Sequence, residues 1–87
     1  MENKKKINKL VVKLKTSAYQ LRSNYSIPIR LVYYINKVDE NTEEKDIRYL
    51  MSLCELYLRV KGFYQKYRQF EELYDDEIET LLKDKFN

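Results

Sequence analysis

Tyr57-Leu58-Arg59-Val60-Lys61-Gly62-Phe63-Tyr64-Gln65-Lys66-Tyr67-Arg68 holds four cations and four aromatics in twelve residues, with no acid among them. Helical spacing turns the cations mostly outward and much of the apolar material inward. The stretch therefore reads as a helix that packs on one side and offers positive charge on the other. It also holds the chain's only glycine. Gly62 in a helix interior costs about 1 kcal/mol relative to alanine. It marks a kink, a close approach of another backbone, or the end of one helix with a new one beginning at Phe63.

Working back from Tyr57, a regular polar stripe (Lys45, Arg48, Ser52, Glu55, Arg59, Gly62, Lys66, Gln69) runs through otherwise apolar sequence. This is the central helix, with packing partners on more than one side. It starts after an acidic connection over Asp39 to Glu44, where Asn41 and Glu44 stand at capping-box spacing. Upstream, Ile7, Leu10, Val11, Leu14, Ala18, Leu21 and Tyr25 keep the i, i+3, i+4, i+7 rhythm, which predicts a first helix from about Lys5 to Ser23. Lys6, Lys9, Lys13 and Gln20 form its back. A second helix is predicted from Ile27 to Lys37, with Ser26 as N-cap and Pro28 in the first turn. Only Arg30, Asn36 and Lys37 in it are strongly polar, so burial on two sides is expected.

Downstream, Phe70, Leu73, Tyr74, Ile78, Leu81, Leu82 and Phe86 form a last stripe. Six acids fall between Glu71 and Glu79, and Asp76 and Glu79 stand at box spacing. A helix start near Asp75 or Asp76 is therefore expected. The fold class is all-α, a compact bundle of four or five helices in a single domain over residues 1–87.

Composition narrows the chemistry. With 87 residues and no histidine, Ser-His-Asp and Cys-His catalysis and the usual zinc geometries are ruled out. One glycine leaves no Gly-rich phosphate loop. The acids Asp75, Asp76, Glu77 and Glu79 read better as a solvated helix start than as a metal site. The expectation is a non-enzymatic protein with no catalytic residue, metal, cofactor or small-molecule substrate. Cys54 is the only cysteine and reads as a small buried hydrophobe in a reducing, cytoplasmic setting. Neither a signal peptide nor a membrane-spanning run is expected.

The formal charge of +3 conceals an asymmetry. Residues 1–38 carry nine Lys or Arg against one acid, a net of +8, whereas residues 39–87 carry eight cations against thirteen acids, a net of −5. Either the first half meets something acidic, or the two halves meet each other in neighbouring copies. Arginines on a rigid helix suit phosphate, and any nucleic-acid contact of this kind is sequence-independent. There are nine tyrosines. Tyr57, Tyr64, Tyr67 and Tyr74 lie near one helix side, as core and core edge or as a protein interface.

Two segments carry a family resemblance. Tyr57-Leu58-Arg59-Val60, then Tyr64-Gln65, then Arg68, is similar to a signature of the small helical subunit of type III-A (Csm-type) CRISPR–Cas effector complexes. Leu14-Lys15-Thr16-Ser17 followed by Gln20-Leu21-Arg22 resembles that family's Thr-Ser-Gln-Leu-Arg motif, here interrupted by Ala18 and Tyr19. The resemblance spans about Leu14 to Arg68. It implies a non-enzymatic subunit that packs against other effector-complex subunits and against copies of itself, in antiviral defence. It also implies contact with the backbone of the guide–target RNA duplex through Arg22, Arg59 and Arg68, with Lys61 and Lys66 secondary. Two alternatives stay open: a shortened virus-encoded mimic acting as an anti-CRISPR protein, and a bacteriocin-immunity-type helical inhibitor acting on a protein partner.

Overall fold

The computed structural model describes the backbone of residues 2–25, 27–64 and 68–86, and the side chains of those residues except 2, 61–64 and 68–74. Four helices follow one another: α1 (Glu2–Asn24), α2 (Ile29–Lys37), α3 (Glu44–Tyr64) and α4 (Arg68–Phe86). Among the described residues there is no strand, so the chain is an all-α four-helix bundle.

α1 forms where its apolar rhythm places it. Leu14, Ala18 and Leu21 are buried, and Ile7, Leu10, Val11 and Tyr25 pack at the edge of the core. Ser23 Oγ donates to the Tyr19 carbonyl and Asn24 Nδ2 to the Gln20 carbonyl, both at 2.9 Å. These short polar side chains fold back on the last turn as the helix ends.

α2 begins later than the sequence predicts. Pro28 is the N-cap rather than a first-turn residue, and its carbonyl accepts from the N–H groups of Leu31 and Val32 at 3.1 and 3.3 Å. Ser26, the expected cap, lies outside the described residues. Proline has no side-chain acceptor, so the cap comes from elsewhere. Glu79 of α4 accepts the Arg30 backbone N–H through Oε1 and the Arg30 Nε–H through Oε2, each at 3.0 Å.

The expected two-sided burial of α2 is corrected. Leu31 and Ile35 are buried, but Ile29 is 84% and Tyr33 50% exposed. α2 packs on α1 and on α4, and the face carrying Ile29 and Tyr33 stays open.

The connection into α3 is a turn built by Asp39 and Thr42. The Thr42 N–H donates to the Asp39 carbonyl at 3.1 Å, the Asp39 N–H to Thr42 Oγ1 at 3.0 Å, and the Asn41 N–H to Asp39 Oδ1 at 2.8 Å. Asn41 therefore does not cap α3. The first helical N–H groups, of Asp46 and Ile47, reach the Glu43 carbonyl instead. α3 then continues through Gly62 to Tyr64. The single glycine breaks no helix, and among the described residues no fifth helix arises.

α4 starts at Arg68, not at Asp75 or Asp76. The acids that suggested a helix start sit two turns inside the helix and work across the bundle. Asp75 accepts the Tyr57 hydroxyl, and Glu79 caps α2.

Ion pairs and rings fix the helix directions. Lys6 Nζ lies 3.1 Å from Glu44, start beside start, so α1 and α3 are parallel. Lys85 pairs with Asp46 at 3.9 Å and Tyr57 meets Asp75, so α3 and α4 are antiparallel. Arg30 meets Glu79 and Tyr34 lies 4.6 Å from the Phe86 ring, so α2 and α4 are parallel. With α1 beside both α2 and α3, and α4 beside the same two, the ring order is α1, α2, α4, α3. The α2–α3 connection crosses the diagonal. All four helices supply the core, including Ile47, Leu50, Cys54 and Tyr57 from α3 and Ile78 and Leu82 from α4.

Candidate interaction surface

α1 presents the strongest charge. Lys4, Lys5, Lys9, Lys13, Lys15 and Arg22 are exposed. Among the described residues none of these six has an acid at ion-pair distance, whereas Lys6 is held by Glu44. That pairing keeps the Glu44 carboxyl below its ordinary range, first through the Lys6 hydrogen bond and, more weakly, through the charges of Lys6 and Arg48. On α3, Lys45 and Arg48 are matched by Glu43 and Glu44, while Arg59 is exposed and has no acid partner among the described residues. Among the described residues the cations without an acid partner are therefore Lys4, Lys5, Lys9, Lys13, Lys15 and Arg22 of α1, with Lys37, Arg59 and Lys83 on the other three helices, so α1 holds most of them.

Helix register brings two of the expected RNA-contacting residues to one height. α1 and α3 run parallel with Lys6 beside Glu44. Arg22 and Arg59 lie further along their helices by nearly equal lengths, and at about 1.5 Å rise per residue they stand within a turn of the same level. Arg68 is the first residue of α4, at that same end of the bundle, and Lys61 is in the last turn of α3. The side chains of Lys61 and Arg68 lie outside the described residues, as does Lys66 altogether.

The four tyrosines expected at an interface part company. Tyr57 is fully buried in the core, and its hydroxyl donates to Asp75. It offers no surface to a partner, because α3 turns it toward α4. Tyr67 and the side chains of Tyr64 and Tyr74 lie outside the described residues. The exposed aromatic face instead comes from Tyr19, 73% exposed, and Tyr33.

Several hollows flank α2. One of about 150 Å³ lies against α1, between Lys15, Tyr19, Arg22, Ile27 and Val32. A second, of about 320 Å³, joins Arg22 and Tyr25 to Ile27, Ile29 and Val32. The largest, about 520 Å³, lies against α4 and is walled by Ile29, Tyr33, Tyr34 and Phe86, with Arg30, Lys37 and Glu79 at its polar edge. Lys37 Nζ sits 4.6 Å above the Tyr33 ring, and its interaction with Tyr33 raises its pKa above the ordinary lysine value. Sequence reasoning missed this surface. Its signal was the near-absence of a polar face in the second helix, read there as burial on two sides.

Chemically the surface is cationic and aromatic. Cys54 is buried, and desolvation pushes its thiol up to about 11, far from a nucleophile's range. Among the described residues no group of three His, Cys, Asp or Glu converges as metal ligands would, and no helix is long and apolar enough to cross a membrane. Neither a protein-family model, nor a curated protein, nor a solved structure matches the chain.

Proposed function

We propose that this protein is a non-enzymatic RNA-backbone-binding subunit, acting through the basic back of α1 and the Arg22–Arg59 level of the bundle. The observation that carries the reading is the set of exposed α1 cations with no acid at ion-pair distance among the described residues. A surface held at uncompensated positive charge attracts a polyanion from a distance and releases its counterions on contact. The cations are spread along a helix of 23 residues, about 35 Å at 1.5 Å per residue. That length suits an extended sugar-phosphate backbone better than a compact anion. Five of the six exposed α1 cations are lysines, which meet phosphate as point charges rather than as planar forks, so recognition is of backbone rather than of sequence.

This is the role that the resemblance to the type III-A small subunit implies, and the partners proposed with it are guide–target RNA and the other effector subunits. The test is binding of the purified chain to labelled single-stranded RNA and to an RNA duplex as salt is raised. With four phosphate contacts to a single strand, affinity falls about 50-fold between ~50 mM and ~200 mM salt. Binding that is indifferent to salt, or absent at low salt, contradicts the reading.

A further inference from the structure

In the large hollow between α2 and α4, Arg30 and Glu79 spend their charges on each other. Glu79 Oε1 accepts the Arg30 backbone N–H and Oε2 the Arg30 Nε–H, each at 3.0 Å. Glu79 is the one acid lining the hollow, so a cation entering there meets a carboxylate that is already neutralised. The second cation of the lining, Lys37, is exposed and has no acid at ion-pair distance among the described residues. Its ammonium rests 4.6 Å above the Tyr33 ring. Tyr34 and Glu79 raise the pKa of Arg30, and Tyr33 raises that of Lys37, so both stay charged at neutral pH. The hollow therefore keeps a single uncompensated positive charge.

Its walls are aromatic and braced. Tyr33 and Tyr34 meet edge to face, with ring centroids 5.3 Å apart and planes at 76°. Tyr34 lies 4.6 Å from Phe86 at 31°, and Tyr49 meets Phe86 edge to face at 6.1 Å. These are the separations and tilts that ring pairs favour. The rings hold one another in place, so the wall exists before a ligand arrives, and a preformed site costs less to fill. Ile29, 84% exposed, adds an apolar lip. The volume, about 520 Å³, lies within the roughly 300–1,000 Å³ of small-molecule sites, which pair apolar walls with a few polar groups.

We propose that this hollow binds a small aromatic carboxylate, its ring against Tyr33, Tyr34 and Phe86 and its carboxylate on the Lys37 ammonium. Charge selects the monoanion: a neutral arene leaves Lys37 unused, and a dianion leaves a negative charge unmatched. The three rings select a planar aromatic body over an aliphatic one. Lysine meets the carboxylate as a compact point charge with rotatable donors, so the ring packing rather than the ion pair sets the ligand's orientation. The inference does not rest on RNA binding, because neither Arg22, Arg59 nor any α1 lysine lines the hollow.

The experiment titrates naphthoate into the folded chain, followed by calorimetry and by backbone amide NMR shifts. Two comparison probes divide its features: naphthamide keeps the rings without the charge, and cyclohexanecarboxylate keeps the charge without the rings. Naphthoate is expected to saturate one site per chain, to shift amides of α2 and of α4 between Glu79 and Phe86, and to bind about tenfold tighter than naphthamide. Cyclohexanecarboxylate is expected to bind more weakly than naphthoate as well. Lys37→Gln is expected to weaken naphthoate about tenfold and to leave naphthamide unchanged. Tyr33→Ser is expected to weaken both naphthalene probes about threefold or more. Lys83→Gln removes an exposed α4 cation that does not line the hollow, and it is expected to match wild type. All three replaced side chains are exposed, and circular dichroism checks helix content; should Lys37→Gln lose helix, Lys37→Met takes its place. Naphthoate that fails to saturate at millimolar concentration overturns the proposal. So does either comparison probe binding as tightly as naphthoate, a Lys37 variant binding as wild type does, or shifts that fall on α1 instead.

Discussion

The phenol of Tyr57, with no exposed surface, donates its hydrogen bond to the carboxylate of Asp75, tying the middle of α3 to the first half of α4. A tyrosine whose position suggested an interface and an aspartate whose position suggested a helix cap thus meet as a cross-bundle strut. Burying a phenol requires a partner for its hydroxyl, and an acid inside α4 supplies it.

Tyr57→Phe keeps the ring and removes the bond. Hydrogen bonds to charged groups contribute about 1.5–3 kcal/mol, and partial exposure of Asp75 sets the expectation at the low end. Tyr57→Ala also opens a cavity and costs roughly 3–5 kcal/mol. Urea unfolding of the two variants measures both, and RNA binding by folded Tyr57→Phe is expected to match wild type.

Glu79 does for α2 what its N-cap, Pro28, does not. It takes the Arg30 backbone N–H and the guanidinium together. Glu79→Ala is expected to lower the thermal midpoint more than Glu77→Ala, a neighbouring acid exposed to solvent. Equal midpoints for the two variants would show that the cap contributes nothing.

The Lys6–Glu44 pair predicts a pH dependence. The folded-state pKa of Glu44 is depressed below its ordinary 4.5. Its contribution is therefore present above the unfolded value and is lost as pH falls through the depressed folded value. Glu44→Gln is expected to be slightly less stable than wild type at neutral pH. The difference should vanish in acid, where the carboxyl is protonated in both states. Denaturation midpoints at the two pH values provide the check.

Cys54 predicts a reactivity. Its thiol is raised from 9.0 to about 11 by burial, so at pH 8 the folded protein holds about 100-fold less thiolate than the unfolded chain, and thiolate is the reacting species. Modification by a thiol reagent is expected to be slow in buffer and rapid in denaturant. Fast labelling of the native protein would place Cys54 outside the core.

Much of this fold was legible in the sequence because hydrophobic periodicity encodes helix faces directly. The stripe from Ile7 to Tyr25 is the buried face of α1, and the polar rhythm of Lys45, Arg48, Ser52, Glu55 and Arg59 is the exposed face of α3. What periodicity does not encode is which polar residue meets which across the bundle. Asp75 and Glu79 look alike in sequence to a helix start, yet their roles are set by Tyr57 and by the N-terminus of α2, 18 and 49 residues away. Ile29 was misplaced for a similar reason. An apolar helix reads as surrounded, but α2 packs on α1 and α4 and leaves the face of Ile29 and Tyr33 open. At the candidate site, the exposed cations Arg22 and Arg59 could be named from sequence. Their common level follows only from the parallel packing of α1 and α3.

The central claim is that the α1 cations and the Arg22–Arg59 level bind the RNA backbone, and the most direct test is RNA affinity as a function of salt for wild type and for the Arg22→Glu, Arg59→Glu double variant. Both residues are exposed, so the variant is expected to fold as wild type does. If each arginine meets one phosphate of a single strand, the slope of log affinity against log salt falls by about 1.4 and binding at low salt weakens about tenfold or more, evenly across RNA sequences. A double variant that binds RNA with unchanged affinity and unchanged salt slope would contradict the account.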